Sequence, residues 1–218
     1  IIDESMQPWF GENWRTDSLI SEHEWIRKLS ETKSINIYII HSWTKFFSCT
    51  GLRYGSLICP NKTTYDNILI NKIPWSVNIL SLMYMDNCIK DNDYMKETWD
   101  KTKKLRKNQV SLIKKYFPDW KIYGEDFLSW IWIDTNNKDL AFFVYNLCKQ
   151  NGTPIRYGKY GYDRDRFLRI SVRNEESFNL LIENIHNLYF IRNNPIHITV
   201  NNNIIEKFIW VEVDKIKC

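Results

Sequence analysis

Short apolar runs and longer amphipathic stretches alternate along the first part of the chain. Ile1-Ile2-Asp3-Glu4 and Ile37-Tyr38-Ile39-Ile40 read as buried strands. Ser21 to Ser30 between them, with Trp25, Ile26 and Leu29 amid charges, reads as an amphipathic helix. Strand, helix, strand in that order predicts a βαβ unit of a largely parallel sheet. Arg53 to Cys59 reads as a further strand ended by Pro60-Asn61, a helix is expected around Thr63 to Ile70, and Pro74 leads into an apolar helix through Leu80, Met83, Tyr84 and Ile89. Asp91 to Phe117 contains no Gly or Pro, and Met95, Trp99, Thr102, Leu105, Gln109, Leu112, Ile113 and Tyr116 fall on one side at helical spacing. Pro118 stops that helix.

Beyond Pro118 the pattern is that of a separate α+β unit. Phe127 to Asp134 reads as a strand, Lys138 to Gln150 as a helix stopped by Asn151-Gly152, and Pro154 to Tyr157 as a short edge strand. In Arg166 to Arg173, alternation sends Leu168, Ile170 and Val172 to the core and leaves Arg169, Ser171 and Arg173 on the other face. An arginine in mid-strand between apolar neighbours has to reach solvent or an anion. Asn174 caps a helix with Phe178, Leu181, Ile182 and Ile185 inward, and Asn201 to Asn203 separate two strand-like runs, Ile196 to Val200 and Ile204 to Val213, in which no chemistry is legible.

Composition narrows the class. With 218 residues, 44% hydrophobic and 15% aromatic, the chain has ample material for packed cores. The net charge of +4 is small, and Lys101, Lys103, Lys104, Arg106 and Lys107 read as the solvated face of the long helix rather than a nucleic-acid surface. The 5 cysteines are odd in number, widely spaced and without a Cys-x-x-Cys pair, which points to neither a disulfide framework nor a zinc site and suits a reducing, cytoplasmic compartment. No membrane span or signal peptide is visible. The chain opens without Met inside a strand, so it reads as the C-terminal part of a longer protein.

The chemistry concentrates in His41-Ser42-Trp43-Thr44-Lys45-Phe46-Phe47-Ser48-Cys49-Thr50-Gly51-Leu52-Arg53-Tyr54-Gly55. The strand before it delivers a lysine with hydroxyls around it, and an arginine follows. A lysine amine becomes a covalent catalyst by forming a Schiff base with an aldehyde, while a phosphate wants hydroxyl donors and a guanidinium fork. Pyridoxal phosphate carries both groups.

Ser-x-x-Lys followed by Gly-Leu-Arg-x-Gly resembles the cofactor-lysine segment of the fold-type I pyridoxal-phosphate aminotransferases of class I/II. Asp3-Glu4-Ser5-Met6 resembles the Asp-Glu-Ala-Tyr-like element that ends the preceding strand in that family, with Met6 standing where many relatives place tyrosine. Pro74-Trp75-Ser76-Val77-Asn78 resembles a segment of L-threonine-O-3-phosphate decarboxylases and histidinol-phosphate aminotransferases, and Arg-Ile-Ser-Val at Arg169 resembles the family's C-terminal carboxylate-binding segment. Together these cover roughly Ile1 to Leu188.

The resemblance implies an α/β fold: the second half of the cofactor-binding large domain over residues 1–90, a linking helix over 91–117, a small α+β C-terminal domain over 118–195, and a strand-like tail over 196–218. It implies pyridoxal 5′-phosphate on Lys45, Asp3 against the pyridine nitrogen, Ser42, Thr44 and Arg53 on the cofactor phosphate, and Arg169 on the substrate α-carboxylate. The implied activity is transamination between amino acid and 2-oxo acid substrates, phosphorylated or not, in a homodimer that binds neither nucleic acid nor membrane. Decarboxylation at the same site is the alternative. A module that keeps the fold without catalysis is a second alternative, and a nucleic-acid-binding domain built on Lys101 to Lys107 a third.

Overall fold

The computed structural model describes residues 1–193, 197–200 and 203–206. Two compact units emerge, one comprising Ile1–Lys107 with Glu125–Ser129, the other Asn108–Gly124 with the chain from Trp130 onward.

The first unit is built on three strands, β1 (Ile2–Asp3), β2 (Ile39–Ser42) and β3 (Gly55–Ile58), in the order β1-β2-β3. Helix α1 (His23–Lys33) connects β1 to β2, which pair in parallel with Ile2 opposite Ile39 and Asp3 opposite Ile40. The helix ends at Ser34, which adopts the left-handed conformation (φ 55°). Its apolar stripe is thinner than its sequence suggests, since Ile26 is buried and Trp25 is exposed.

β3 departs from the largely parallel sheet that the pattern predicts. It pairs antiparallel with β2, with Ser42 opposite Gly55. A parallel return needs a crossover of a dozen or more residues, usually a helix. Here the connection is used up by a turn over Trp43–Ser48 and a 3-10 turn at Thr50–Leu52.

Helices α2 (Lys62–Ile70) and α3 (Ile79–Cys88) follow. Asn61 opens α2 with a capping box, its side chain accepting from Thr64 N, and Asn78 caps α3 by accepting from Ser81 N. α3 is apolar in sequence, yet only Ser81 and Met85 are buried, and Leu80, Met83, Tyr84 and Ile89 are exposed. The unit's core gathers Trp9, Phe46, Phe47, Cys49, Met85 and Met95, with Trp43, Tyr94, Trp99 and Phe127 packed against it.

Helix α4 (Asn92–Tyr116) runs through Lys107 in the first unit and from Asn108 in the second. Met95, Thr102, Gln109 and Ile113 are buried, as its stripe predicts. Arg106 corrects the basic patch: it is 5% exposed and sits on the buried side, while Lys101, Lys103, Lys104 and Lys107 stay in solvent. The reason is helical geometry, because residue 106 lies four positions after Thr102 and three before Gln109. Burial lowers the Arg106 pKa, and the nearby Asp126 and Glu125 carboxylates oppose that shift.

The second unit is a fully antiparallel sheet of β4 (Lys121–Tyr123), β5 (Trp130–Asp134), β6 (Arg156–Tyr157) and β7 (Phe167–Ser171) in the order β4-β5-β7-β6. β4 is too short for its alternation to stand out in the sequence. Helices α5 (Lys138–Gln150) and α7 (Glu175–Asn193) carry Leu140, Ala141, Val144, Phe178, Leu181, Ile182 and Ile185 into one core with Ile131, Ile133, Leu168 and Ile170. Between β6 and β7 lies a single kinked turn, α6 (Lys159–Tyr162), in which Gly161 has φ 89°. Gly158 opens that turn where a β-carbon would stand 2.4 Å from Arg164 O, so no larger residue fits. Strands β8 (His197–Val200) and β9 (Asn203–Glu206) pair antiparallel as a hairpin. The rest of the expected terminal strand, beyond Glu206, lies outside the described residues. Among the described residues, no helix is long and apolar enough to cross a membrane.

Ile133 is fully buried in the middle of the second sheet, so Ile133→Ala is expected to cost about 2–5 kcal/mol in urea unfolding. Leu180→Ala, at a position 52% exposed on α7, is expected to stay within about 0.5 kcal/mol of the parent.

Candidate functional site

The first unit brings four of the six expected site residues together at the ends of β1 and β2. Ser42 closes β2, its backbone N–H donating to Ser5 Oγ at 2.8 Å. Its own Oγ lies 3.1 Å from Thr44 Oγ1 and accepts from Lys45 Nζ at 3.2 Å. Thr44 is buried, Ser42 is half-buried, and Lys45 is exposed on the Trp43–Ser48 turn. The result is an amine and two hydroxyls in a row. Asp3 completes the group from β1: Ser5 N–H donates to its Oδ1 at 2.9 Å. Hydrogen bonding by Ser5 holds the Asp3 carboxyl below the usual carboxylate range, with the charges of His41 and Lys45 pulling the same way.

The lysine turn and the 3-10 turn after it are pinned by hydrogen bonds to their backbone carbonyls. Tyr94 OH donates to Phe46 O at 2.9 Å, Tyr84 OH to Phe47 O at 3.1 Å, and Ser81 Oγ to Leu52 O at 2.8 Å. Phe46 and Phe47 are nearly inaccessible and anchor the turn in the core, each worth about 1.5–3 kcal/mol of burial. The aromatic pair that follows the lysine in sequence is therefore the ballast that leaves the amine outside.

Arg53 stands apart from the row. It is exposed and left-handed (φ 54°), and its Nη1 donates to Thr50 O at 2.9 Å. Gly55, two residues on, faces the backbone of β2 so closely that a β-carbon would lie 2.8 Å from His41 O. The glycine therefore belongs to the β2–β3 pairing itself.

A second cluster belongs to the other unit. Arg169 on β7 lies opposite Trp132 on β5 and Arg156 on β6. Its Nη1 donates to Tyr162 OH at 2.5 Å, and its guanidinium sits 6.0 Å from the ring centre of Trp130 and 5.8 Å from that of Tyr162. Like charges directly opposite on neighbouring strands are unfavourable, and among the described residues neither arginine has an ion-pair partner. Arg156 lies in the short edge strand expected at Pro154 to Tyr157, but only its register opposite Arg169 singles it out.

The other feature missed in the sequence is a buried pair, Glu4 with His41. Glu4 Oε1 accepts from Leu19 N at 2.9 Å and Oε2 from Ser18 Oγ at 2.5 Å, while His41 Nε2 is 3.5 Å from Oε2. His41 is fully buried, stacked on Trp43 with ring centres 5.0 Å apart. Both residues flank the row in sequence, Glu4 following Asp3 and His41 preceding Ser42.

No family model matches the sequence. Among curated proteins, the chain is 30% identical over 64 residues to a threonine-phosphate decarboxylase of Salmonella typhimurium, a match over 29% of this chain and 18% of the other. Among solved structures, a histidinol-phosphate aminotransferase from Clostridium acetobutylicum superposes with a TM-score of 0.71 at 21% identity, covering 86% of this chain and 53% of that one. An L-threonine-O-3-phosphate decarboxylase from Porphyromonas gingivalis gives 0.59 at 14% identity, over 70% and 46%. A histidinol-phosphate aminotransferase from Sinorhizobium meliloti in complex with pyridoxal-5′-phosphate gives 0.56 at 19%, over 69% and 41%. The chain therefore has the fold of these enzymes over about half their length.

Gly55→Ala tests how tightly β2 and β3 approach. The added methyl must displace the His41 carbonyl, so a loss of about 1–3 kcal/mol in thermal unfolding is expected, against a near-neutral outcome for Gly51→Ala, where the added group meets nothing within 4 Å.

Proposed function

We propose that the protein is a pyridoxal-phosphate-dependent aminotransferase acting on an amino acid or a phosphorylated relative of one. The observation that carries this reading is the row of Ser42, Thr44 and Lys45 beside Asp3, on a fold shared with enzymes of that chemistry. These residues fit the cofactor in kind: an exposed primary amine, hydroxyls that take a phosphate, and a carboxylate whose ionised form is favoured. Pyridoxal phosphate, when bound, supplies an aldehyde that condenses with amines and an electron-poor ring that draws charge from the substrate's Cα.

The chain's own residues divide the remaining work. Lys45 Nζ would hold the cofactor through its amine and would serve as the acid/base for the proton at the substrate's Cα. Asp3 keeps a proton on the ring nitrogen, for which its lowered pKa suits it, because a carboxylate that resists protonation stabilises the cation opposite. Ser42, Thr44 and Arg53 would hold the cofactor phosphate. Arg169 takes the substrate carboxylate through its planar fork, and Arg156 beside it takes a second acidic group. We assign residues 1–90 to the cofactor-binding domain, 91–117 to the linking helix, 118–195 to the small domain and 196–218 to a tail, in a cytoplasmic homodimer.

Decarboxylation is the second reading, favoured by the 64-residue likeness to a threonine-phosphate decarboxylase. It uses the same residues and differs in which bond at Cα breaks. Loss of catalysis with the fold retained is the third.

Incubation with pyridoxal phosphate followed by borohydride is expected to leave one pyridoxyl phosphate on the peptide containing Lys45, and none there in Lys45→Ala. A folded, full-length protein that takes no label overturns the catalytic reading. In the active protein, Arg169→Ala is expected to raise KM for the amino substrate roughly 10- to 100-fold with a smaller change in kcat, since a charged hydrogen bond is worth about 1.5–3 kcal/mol.

A further inference from the structure

A buried imidazole wedged between a carboxylate and an indole is costly to keep, and this one stands directly before Ser42 in sequence. His41 is fully buried at the end of β2, and neither of its ring nitrogens makes a hydrogen bond within the usual limits. One face stacks on Trp43, at 8° between planes, and Trp14 meets the ring edge-on with centroids 6.2 Å apart. Opposite Nε2, at 3.5 Å, is Glu4 Oε2, on a side chain only 9% exposed.

Glu4 is not loosely placed. Ser18 is a hinge in its support: its Oγ donates to Glu4 Oε2 and accepts from Ile20 N at 3.2 Å, so the carboxylate is fastened to the start of the short helical turn at Leu19–Glu22. The fastening leaves His41 as the group on Glu4 that can change charge.

We propose that Glu4 and His41 form a proton-linked clasp that ties the Asp3 end of β1 to the lysine turn after β2 and adjusts the electrostatic field at Asp3. Both are positioning residues: they act on the site through Asp3 and Ser42, their sequence neighbours. The consequence for catalysis rests on the function proposed above, whereas the clasp itself does not.

The charged groups facing His41 are Glu4 and Asp3 from the β1 side, with Arg15 held 4.6 Å over the ring of the intervening Trp14. Burial lowers the His41 pKa, and Glu4 and Asp3 oppose that shift. When His41 takes a proton, the contact with Glu4 becomes an ion pair and a positive charge appears beside Asp3, which makes that carboxylate harder to protonate. When it is neutral, that contribution is lost and Asp3 keeps its hydrogen bonds from Ser5 and the charge of Lys45.

The sign of the stability effect follows. An unfolded histidine titrates at about 6.5. Between that value and its lower folded value the unfolded chain binds the extra proton, so stability falls as pH drops through the ordinary imidazole range, and levels off once folded His41 is also charged.

The test is an NMR titration of the chain as it stands, following His41 by its imidazole nitrogens and Asp3 by its carboxyl carbon. His41 is expected to titrate below an ordinary imidazole, and the Asp3 carboxyl to show a secondary step at the His41 midpoint. Glu4→Gln is expected to lower that midpoint by about one pH unit, and His41→Gln to erase the step at Asp3. An Asp3 signal without that step, or a His41 midpoint unmoved in Glu4→Gln, overturns the proposal. The wild-type trace decides even where the variants fail to fold. With pyridoxal phosphate bound, the pH midpoint of its visible band is expected to shift in Glu4→Gln and to return toward the parent's in Glu4→Asp. If the wild-type protein takes no cofactor, the function above fails, while the NMR result still stands on its own.

Discussion

Two parallel residue pairs, Ile2 with Ile39 and Asp3 with Ile40, decide where the acid of one strand stands relative to the lysine that follows the next. Side chains alternate across a strand, so a slip of one residue would turn Asp3 to the other face and remove it from Lys45. Three things fix the register. The backbone bonds Ile2 N to Tyr38 O and Glu4 N to Ile40 O set the pairing. Ser5 Oγ accepts from Ser42 N and joins the two strand ends. Glu4 against His41 makes a third tie one residue further in. Each tie uses a residue with proposed chemistry or a neighbour of one, so Asp3 and Ser42 inherit their geometry from the sheet, while Thr44 and Lys45 depend on the pinned turn after it.

Polar groups buried in this way are costly unless each is answered, and the structure shows answers of differing quality. Asp134, 2% exposed, is met by Arg166 at 2.9 Å and caps the bend after β5 through Asn136 N. Gln109 interrupts the apolar side of α4, yet its Nε2 donates to Arg173 O at 2.5 Å and steadies the chain just after β7. These are structural solutions in which donors and acceptors match. His41 is different. Its neighbours are aromatic faces and a carboxylate at 3.5 Å, so a neutral imidazole finds no well-formed hydrogen bond, while a charged one gains Glu4 but loses more to burial. That imbalance makes this residue stand out from the other buried polar groups.

The pattern of apolar residues carried most of the architecture. α5 begins and ends at Lys138 and Gln150 as its periodicity and its Asn-Gly stop signal require, and the alternation in β7 sends Leu168 and Ile170 inward and Arg169 outward. What stayed illegible depended on distant partners. The direction of β3 is set by how little chain joins it to β2. Phe127 reads as the start of a strand, but it packs edge-on against Phe10, 117 positions earlier, and the strand starts three residues later. Arg106 looks like one more basic residue in a basic run until helix geometry turns it inward. Among the proposed site residues, Ser42, Lys45 and Asp3 were legible because the covalent and phosphate chemistry proposed for them constrains residue type and spacing. Glu4, His41 and Arg156 were not, because their significance lies in a register that no local pattern encodes.

The retention of chemistry also bears on the alternative of a fold kept without catalysis. A packing role could account for Phe46, Phe47 and Trp43, which fill the core around the lysine turn. It gives no reason for an exposed amine to be held against a serine hydroxyl, for a threonine hydroxyl to be buried behind it, or for a carboxylate to be kept ionised nearby. Exposed Lys45 adds little to stability, since a surface amine bonded to one hydroxyl contributes at most a few tenths of a kcal/mol or so. The arginines opposite each other on β6 and β7 go further, because they cost stability where no anion lies between them. Interactions that are neutral or unfavourable for folding, set among parts that are otherwise well packed, are what selection for a ligand leaves behind, and each unit carries its own set: an amine, hydroxyls and a carboxylate in the first, a pair of guanidiniums in the second.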